Sequence, residues 1–341
     1  MLITGHTGFK GSWLSLWLHS LGAEVFGYSR EVPTSPSHFG AADVGDVVHT
    51  VYGDVADYAR MEQTVRAANP EIVIHMAAQS LVRQSYRDPV ETFRTNVLGT
   101  AHLLEAVRQA GDPVAVLVVT SDKCYENSPP YVARSEGDAI GGSDPYSSSK
   151  ACSELVARAF RAPGLAGMSA PPVVTARAGN VIGGGDWASE RIVPDIVRAA
   201  ESGGVLEVRS PKAIRPWQHV VDCLAGYLTL IERLAVDPEL PSAWNFGPDS
   251  QQERSVAWMV EAMTGVLGRE VEVHAGESDG LREADHLMID SRQARDVLGW
   301  EPVWGIEESV RLTADWYRQV WNGEDARAVT LSQLDLHGKS I

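Results

Sequence analysis

The sequence predicts an α/β protein in which a doubly wound parallel sheet carries a smaller, mostly C-terminal α/β lobe. Three observations support this fold class. Short apolar segments alternate with helical patterns in the first half of the chain, which is typical of a parallel sheet with helices on both faces. This rhythm breaks in the second half. The length of 341 residues suits two lobes that share a core better than one minimal domain.

The strand candidates of the first half are MLIT, AEVFGYS, VVHTVYGDV, EIVIHMAA and VAVLVVTSD. After PPVVTARAGN come glycine-rich and proline-bearing loops with isolated strand candidates. The helical pattern VVDCLAGYLTLIERLA and the strand AWNFG are then predicted to return to the large lobe. We therefore expect a large domain of residues 1–178 and about 219–250, a smaller lobe of about 179–218 and 251–321, and a polar tail at 322–341.

Charge and cysteine usage limit the classes of partner. The chain has 29 Lys+Arg against 45 Asp+Glu, a net charge of −16, without a basic run, which disfavours nucleic acid and acidic membranes. A polyanionic ligand would therefore need local arginines. The 3 cysteines lie far apart, with neither metal-ligand nor disulfide spacing, so we expect a cytoplasmic protein that binds no metal.

The apolar segment GSWLSLWLHSLGA near the start could be mistaken for a signal peptide. Its tryptophans and leucines recur at helical spacing with Ser15, His19 and Ser20 between them, so we predict an amphipathic helix instead. The preceding TGHTGFKG places Gly5, Gly8 and Gly11 between the first strand and this helix.

These glycines are typical of a dinucleotide-binding turn. Such a turn needs glycine where the chain bends, where the pyrophosphate approaches the backbone and where the helix packs on the strand. The helix N-terminus then offers its free amides to the phosphates. We therefore interpret the large domain as dinucleotide-binding, and assign Phe9 and Lys10 to the same site as the glycines.

The ends of the next three strands supply further candidates. The second strand ends in FGYSR, without the acidic residue that would hold a ribose hydroxyl, and Arg30 is either a ligand of a 2′-phosphate or a solvated loop charge. The residues alone thus leave NAD and NADP open. Asp54 and Val55 would lie near the adenine, and Ala77 and Ala78 would let the backbone pass close to the cofactor, unless they serve only the turn and the packing.

In DPYSSSKACSELVARAF, Tyr146 and Lys150 are four residues apart and share one helix face. A neighbouring ammonium, with a positive nicotinamide ring nearby, lowers the pKa of a phenol and lets it take a proton from a hydroxyl. A base of this kind is needed when a hydride leaves the same carbon. The alternative is an exposed pair without a role, which the glycine turn makes less favourable.

Seven motifs follow one another along the chain: TGHTGFKG, HMAAQSLVRQSY, TSDKCY, DPYSSSK, RAGNVIGGGDWASERIVPD, IRPWQHVVD and WNFGP. Together they resemble the CDP-glucose 4,6-dehydratases, a family of the extended short-chain dehydrogenase/reductase superfamily. The match runs to about Trp321. The resemblance implies a Rossmann-like fold, bound NAD, a nucleotide diphosphate sugar (CDP-glucose) as substrate, a role in deoxysugar biosynthesis, and a homodimer formed by helices around 92–110 and 146–162.

The resemblance also implies a reaction without net redox change, which removes water and leaves a 4-keto-6-deoxy sugar. Tyr146 would deprotonate the carbon 4 hydroxyl while hydride passes to NAD, with Ser121 holding that hydroxyl and Lys150 the ribose. Lys123 would take the carbon 5 proton, and Asp122 would protonate the departing carbon 6 hydroxyl. Hydride would then return to carbon 6.

The neighbouring Asp122 and Lys123 favour the CDP-glucose family, because its dTDP-glucose relatives have aspartate and glutamate there. For these roles burial must outweigh their mutual attraction, which favours the charged form of each. The alternative is an exposed ion pair that closes a turn. Side chains of neighbouring strand residues point to opposite faces, so we predict that regular strand geometry ends at about Ser121.

Further residues are assigned by resemblance. Arg191 and Arg215 would bind the diphosphate, whose oxygens suit guanidinium groups. Asn180 would lie near the sugar, Asn245 near the nucleotide, and Arg282 in GLREADHLMID would be a further phosphate ligand. The remaining assignments are Gln79, Asn96 and Thr120 to the cofactor and Gln79 and Ser80 to the substrate.

Two rival functions share part of these features. A nucleotide-sugar 4-epimerase would use the glycine turn, Tyr146 and Lys150, but it needs no acid and base for elimination. A cofactor-binding sensor without chemistry would need neither the tyrosine nor the acid. A 4,6-dehydratase acting on another nucleotide sugar stays open, because no local signature identifies the nucleobase.

Overall fold

The computed structural model describes residues 1–126, 131–162, 172–276 and 286–340. Its centre is a seven-stranded sheet in the order β11-β6-β5-β4-β1-β2-β3, and every neighbouring pair in it is parallel. The seven strands are β1 (Leu2–Thr4), β2 (Phe26–Ser29), β3 (His49–Tyr52), β4 (Ile72–His75), β5 (Ala115–Val119), β6 (Val173–Ala178) and β11 (Ala243–Phe246). The predicted doubly wound sheet is therefore confirmed.

Helices connect these strands and cover both faces of the sheet. Those of the first half are α1 (Phe9–Ser20), α2 (His38–Ala41), α3 (Tyr58–Ala68), α4 (Val82–Arg87), α5 (Pro89–Phe93), α6 (Gly99–Ala110) and α7 (Pro145–Arg161). Those of the second half are α8 (Ile192–Ser202), α9 (Val220–Val236), α10 (Val256–Leu267), α11 (Ile306–Trp321) and α12 (Ala326–Ser340). Among the residues that the structure describes, no helix has the length and apolarity needed to cross a membrane.

Short strand pairs outside the central sheet mark the second half. The strands are β7 (Val181–Ile182), β8 (Val205–Val208), β9 (Ile214–Arg215), β10 (Gln218–His219), β12 (Arg254–Ser255) and β13 (Glu272–Ala275). β7 pairs with β10, β8 with β13 and β9 with β12. β11 pairs with β6 at the edge of the large sheet, as expected for AWNFG. The domain boundaries themselves remain a prediction.

The strands of the central sheet are apolar on both sides because helices bury both faces. Alternate residues reach opposite faces. Ile3 and Ile74 pack on one side with Trp13 of α1, and Leu2 and Val73 pack on the other with helices that include α6. α1 is thereby fixed against the sheet directly after the glycine turn.

The expectation of a polar tail at 322–341 is wrong. Residues Ala326–Ser340 form α12, which packs on α1, α2, α9 and α11. Its buried face mixes polar and apolar residues, so the sequence shows no clear apolar periodicity of the kind that predicts a helix. The buried residues are Ala326, Val329, Thr330, Gln333, Leu334 and His337.

The same packing corrects the expectation that α1 is amphipathic. Ser15, predicted to lie on the polar side, is completely buried, as is Ser12. Each hydroxyl donates to a backbone carbonyl one turn earlier, Ser12 to Phe9 at 2.9 Å and Ser15 to Gly11 at 2.7 Å. These internal bonds satisfy the serines without water. α1 is therefore buried by other elements around most of its circumference.

Candidate active site

A cleft of about 1610 Å³ lies along the carboxyl ends of the central strands. The chain places β2 and β3 on one side of β1, and β4, β5 and β6 on the other. In doubly wound sheets, ligands bind at the point where the strand order reverses in this way. Residues of the second half of the chain, including Arg191 and Arg215, line the same cleft.

The glycine turn at one end of the cleft has no room for side chains. Gly5 has a φ of +78°, and a Cβ there would lie 2.6 Å from the backbone nitrogen of Ala77. A Cβ on Gly11 would lie 2.2 Å from the carbonyl oxygen of Gly5. α1 begins at Phe9, and within the described chain no side chain caps its first amides. These features fit the pyrophosphate of a dinucleotide.

The end of β2 carries an acidic residue that the sequence analysis missed. Arg30 is followed by Glu31, and its guanidinium contacts Glu31 at 2.9 Å and Glu91 at 3.2 Å. Because all three side chains line the cleft, a 2′-phosphate beside Arg30 would also face two carboxylates. The charges at this end of the cleft therefore favour a dinucleotide without that phosphate.

Asp54 lies in the cleft wall, where its carboxylate already has two protein partners. One oxygen accepts from the backbone amide of Ala56 at 2.9 Å and the other from Arg94 at 2.9 Å. Although burial raises the pKa of Asp54, these two donors outweigh burial and lower it. The carboxylate is thus held ionised in a fixed orientation.

The segment after β5 has the geometry predicted for it. β5 ends at Val119, and Ser121 caps a single 3₁₀ turn, Asp122–Cys124. The Ser121 hydroxyl donates to Asp122 Oδ1 at 3.0 Å and accepts from the backbone amide of Lys123 at 3.2 Å. A 3₁₀ turn separates successive side chains by a third of a turn rather than by a half. Ser121, Asp122 and Lys123 consequently all line the cleft.

Asp122 has an oxygen that is suited to a ligand. Its side chain is 5% exposed, and its Oδ2 has no hydrogen-bond partner among the described residues. The backbone of Gly179 passes close by, since a Cβ on Gly179 would lie 3.4 Å from Oδ2. A buried carboxylate oxygen without a partner is costly. A substrate hydroxyl in the cleft would satisfy it.

Tyr146 and Lys150 project from the first two turns of α7 into the same cleft. Both are buried, and Lys150 Nζ donates to the carbonyl of Val119 at 3.1 Å. Burial lowers the pKa of Lys150 to about 8. Burial also raises the pKa of Tyr146 to about 12, against the opposing effect of the neighbouring Ser121 hydroxyl. The expected lowering of the phenol pKa is therefore not found in the protein alone, because burial outweighs the neighbouring groups.

The predicted substrate residues of the smaller lobe also reach the cleft. Arg191 donates to Ser80 Oγ at 3.0 Å and contacts Asp186 Oδ2 at 3.5 Å, so it links the segment after β4 to the segment before α8. Arg215 lies on β9 and is 6% exposed. Asn180 Oδ1 is buried without a partner among the described residues. Two guanidinium groups and an unpartnered amide oxygen in one cleft lining suit a phosphorylated sugar.

Most predicted site residues line this one cleft. Asn96 and Asn245, in contrast, lie behind its wall. Asn96 accepts from the backbone amide of Gln79 and donates to Ser149 Oγ, both at 2.8 Å, which ties the loop after β4 to α7. Arg282 lies outside the described residues. The residues in the lining are Gly5, Gly8, Phe9, Lys10, Gly11, Arg30, Asp54, Val55, Ala77, Ala78, Gln79, Ser80, Thr120, Ser121, Asp122, Lys123, Tyr146, Lys150, Asn180, Arg191 and Arg215.

Several of these polar side chains are already bonded within the protein. Asn245 donates to the carbonyls of Arg134 and Asp290 and accepts from Tyr125. Its side-chain amide is therefore already hydrogen bonded within the protein, which disfavours its predicted role as a nucleotide ligand. The side-chain amide of Gln79 bonds to Leu81 and Thr92 in the same way. Such residues shape the cleft rather than contact a ligand through these groups.

Comparison with known proteins identifies the family. The chain matches the family model "GDP-mannose 4,6 dehydratase" over residues 2–313. It is 43% identical to a CDP-glucose 4,6-dehydratase of Salmonella typhimurium, over 95% of this chain and 92% of that protein. It is 30% identical to a dTDP-glucose 4,6-dehydratase of Xanthomonas campestris pv. campestris, over 94% of each.

Solved structures share the fold. MoeE5 in complex with UDP-glucose and NAD superposes with a TM-score of 0.77 at 26% identity, over 94% of this chain and 99% of that one. UDP-glucose 4-epimerase of Thermus thermophilus, in complex with NAD, gives a TM-score of 0.80 at 25% identity, over 93% and 98%. The fold is thus shared with a UDP-glucose 4-epimerase. By the extent of its sequence match, the chain belongs to the GDP-mannose 4,6 dehydratase family.

Proposed function

We propose that the chain is a hydro-lyase that converts CDP-glucose to CDP-4-keto-6-deoxyglucose, with NAD as a cofactor that is regenerated in each turnover. One observation carries the proposal. A single turn presents Ser121, Asp122 and Lys123 to the cleft that also receives Tyr146 and Lys150. The 43% identity to a CDP-glucose 4,6-dehydratase, over 95% of this chain, supports the substrate.

The cleft suits NAD at the glycine turn. Gly5 and Gly11 leave the backbone accessible, and the amides at the start of α1 face the phosphates. Glu31 and Glu91 beside Arg30 favour NAD over NADP. When bound, NAD supplies a temporary acceptor for the hydrogen and electron pair of carbon 4.

Tyr146 is the proposed base for the oxidation at carbon 4. Tyr146 and Ser121 line the same cleft, so both side chains can reach one substrate hydroxyl. Because burial raises its pKa to about 12, Tyr146 needs positive charge close by to work near neutral pH. Lys150 one turn further along α7, and the cationic ring of the cofactor, are the proposed sources of that charge.

Asp122 and Lys123 are the proposed acid and base for the loss of water. Oxidation at carbon 4 acidifies the proton on carbon 5, which Lys123 would take. Asp122 would pass a proton from its unpartnered Oδ2 to the carbon 6 hydroxyl, which leaves as water. Carbon 6 would then receive the hydride and carbon 5 a proton, which completes the product. The 3₁₀ turn makes the two roles compatible, because it directs neighbouring side chains into one cleft.

Arg191 and Arg215 are the proposed ligands of the diphosphate. They supply local positive charge in a chain whose net charge is −16. The three free cysteines are consistent with the proposed cytoplasmic location.

We further propose a homodimer formed by the helices at 92–110 and 146–162. These helices expose apolar side chains that a partner would cover, namely Phe93 at 37%, Leu98 at 43% and Leu155 at 48%. The last lies on α7, which also carries Tyr146. Light scattering of the pure protein measures the number of subunits.

The function is tested by incubating the protein with CDP-glucose, dTDP-glucose, GDP-mannose and UDP-sugars, and measuring product mass. We expect CDP-glucose to lose one water. Isomerisation without a change of mass would identify an epimerase instead. If none of these substrates lost water, the dehydratase proposal would be refuted.

The role of Lys123 is tested in the same assay. We expect Lys123→Ala to lower the rate of water loss by roughly 10²- to 10⁴-fold, the range typical of a general base. Lys212→Ala is the control, because Lys212 is exposed outside the cleft lining. Wild-type rates in Lys123→Ala would show that another group takes the carbon 5 proton.

A further inference from the structure

A buried ion pair lies behind the turn that carries Asp122 and Lys123. Glu154 Oε2 and Arg177 Nη2 are 2.7 Å apart, and the side chains are only 4% and 5% exposed. Neither residue belongs to the lining of the cleft, and neither has a part in the proposed chemistry. Burial of two charges is costly unless their geometry and additional hydrogen bonds compensate. The question is what this pair holds in place.

Glu154 holds the residue before the turn. Its Oε1 accepts a hydrogen bond from the hydroxyl of Thr120, which lies between the end of β5 and Ser121. Its Oε2 accepts from the hydroxyl of Thr175 on β6, at 2.8 Å, as well as from Arg177. One carboxylate thus joins α7, the end of β5 and the neighbouring strand.

Arg177 holds the residue after the turn. Its Nη1 donates to the hydroxyl of Tyr125 at 2.8 Å, and its guanidinium lies 4.8 Å from the centre of the Tyr125 ring. The same hydroxyl donates to Asn245 Oδ1 at 2.7 Å. Tyr125 follows Cys124 directly, so the segment from Ser121 to Cys124 is anchored at both ends by the two members of one ion pair.

The anchor is also linked to the residues proposed for oxidation. Glu154 follows Lys150 by four residues and Tyr146 by eight, which places the three on one face of α7. A rigid helix therefore carries both the proposed oxidation pair and the carboxylate that holds the turn with Asp122 and Lys123. The distance between the two sets of groups is set through Glu154.

We propose that Glu154 and Arg177 are positioning residues, which fix the turn Ser121–Cys124 relative to α7 so that one bound sugar meets both sets of groups. The proposal rests on the proposed function, in which carbons 4, 5 and 6 of one sugar react in sequence. Such geometry is demanding, because a displacement of about 1 Å can cost roughly 100-fold in rate.

Two threonines offer a matched test, since both donate to the carboxylate of Glu154. Thr120→Val and Thr175→Val each replace one hydroxyl by a methyl group, but only Thr120 is adjacent to the turn. We expect Thr120→Val to lower kcat by about 10- to 100-fold with little change in KM, and Thr175→Val to keep the wild-type kcat. The two variants should lose similar thermal stability.

Tyr125→Phe tests the other end of the turn. Without the hydroxyl that bonds to Arg177, the elimination groups should be displaced more than Tyr146 and Lys150. Reduced nicotinamide should then accumulate during turnover, which its near-ultraviolet absorbance reports. A variant that is merely less stable would lose rate in proportion to its folded fraction without this accumulation.

Hydrogen exchange gives a readout that does not depend on turnover. We expect the amides of Lys123 and Cys124, which bond to Ser121, to exchange faster in Thr120→Val than in Thr175→Val. Equal kcat values and equal exchange in the two threonine variants would overturn the positioning proposal while leaving the function intact. If the wild-type protein removed water from no nucleotide sugar, the proposed function would be refuted. The positioning of the turn by Glu154 and Arg177 would still be tested by hydrogen exchange.

Discussion

Four buried histidines are expected to make the folded protein sensitive to mild acid. Burial lowers the pKa of His6 to about 4, and the pKa values of His38, His75 and His219 to about 3, from the ordinary value of 6.5. Hydroxyl groups hold three of these rings in place; His75, for example, bonds to Thr4 at 2.6 Å and to Thr100 at 3.1 Å. His219 instead accepts from the backbone amide of Val221 at 3.3 Å. The folded protein therefore keeps the four histidines neutral at neutral and mildly acidic pH.

The sign of the effect follows from proton binding. Each folded-state pKa lies below that of the unfolded chain, so the unfolded chain takes up protons first as the pH falls below 6.5. Between about pH 7.5 and about pH 5, each histidine should remove about 2 kcal/mol from the free energy of unfolding, and the four together about 8 kcal/mol. Because domains are typically stable by only about 5–15 kcal/mol, we expect marginal stability near pH 5.

The assay is urea unfolding at a series of pH values, with His75→Gln as the variant. Below about pH 6, its free energy of unfolding should fall less steeply than that of the wild type, by about 1.4 kcal/mol per pH unit, because one proton fewer is taken up on unfolding. Carboxylates contribute equally to both proteins and cancel in the comparison.

The exposed His19 supplies the control variant, His19→Gln. A slope in His75→Gln equal to that of the wild type would refute the reasoning, whatever the absolute stability of the variant. A slope that changed as much in His19→Gln would show that substitution of any histidine has this effect.

Two further substitutions test features of the fold. Gly11→Ala would place a Cβ 2.2 Å from the carbonyl oxygen of Gly5, so we expect NAD to bind at least about tenfold more weakly by calorimetry; Gly137→Ala, with open space around it, should bind NAD normally. Asp222 accepts from His337 Nε2 at 3.0 Å and from the amide of Val303 at 2.7 Å, and the side chains of Asp222 and His337 are both buried. Asp222→Asn should therefore cost about 3 kcal/mol in urea unfolding, whereas Asp335→Asn, which removes an exposed pair with Lys339, should cost under about 1 kcal/mol.

Much of the fold and of the catalytic segment could be predicted from sequence, because local chemistry decides them. Strands buried on both faces produce apolar runs, and the glycines of the first turn are required by backbone contacts within a few ångströms. The end of β5 was predictable since Ser121, Asp122 and Lys123 cannot share one face of a strand.

The features that sequence analysis missed depend on partners that are distant in the chain. Arg30 contacts the adjacent Glu31, but the second carboxylate that contacts its guanidinium belongs to Glu91, far along the chain. Asn96 has the right residue type and segment for a ligand, but its hydrogen-bonding groups are used by Gln79 and Ser149. Spacing along one helix gives no information about such long-range bonds.

The C-terminal helix was missed for a related reason. Half of the residues that α12 buries are polar, among them Thr330 and His337, and their partners lie elsewhere. Thr330 bonds to His38, which bonds in turn to Ser12 of α1. A pattern based on hydrophobicity cannot recognise a buried face that is held by polar bonds.

The contact between α12 and α1 has a consequence for the order of events during protein synthesis. α1 leaves the ribosome long before α12, which covers it, bonds through His38 to Ser12 and is made after all the strands of the central sheet. α1 therefore remains partly uncovered until α12 has been synthesised. A nascent chain that lacks α12 should consequently be an easier target for chaperones and proteases than the finished protein.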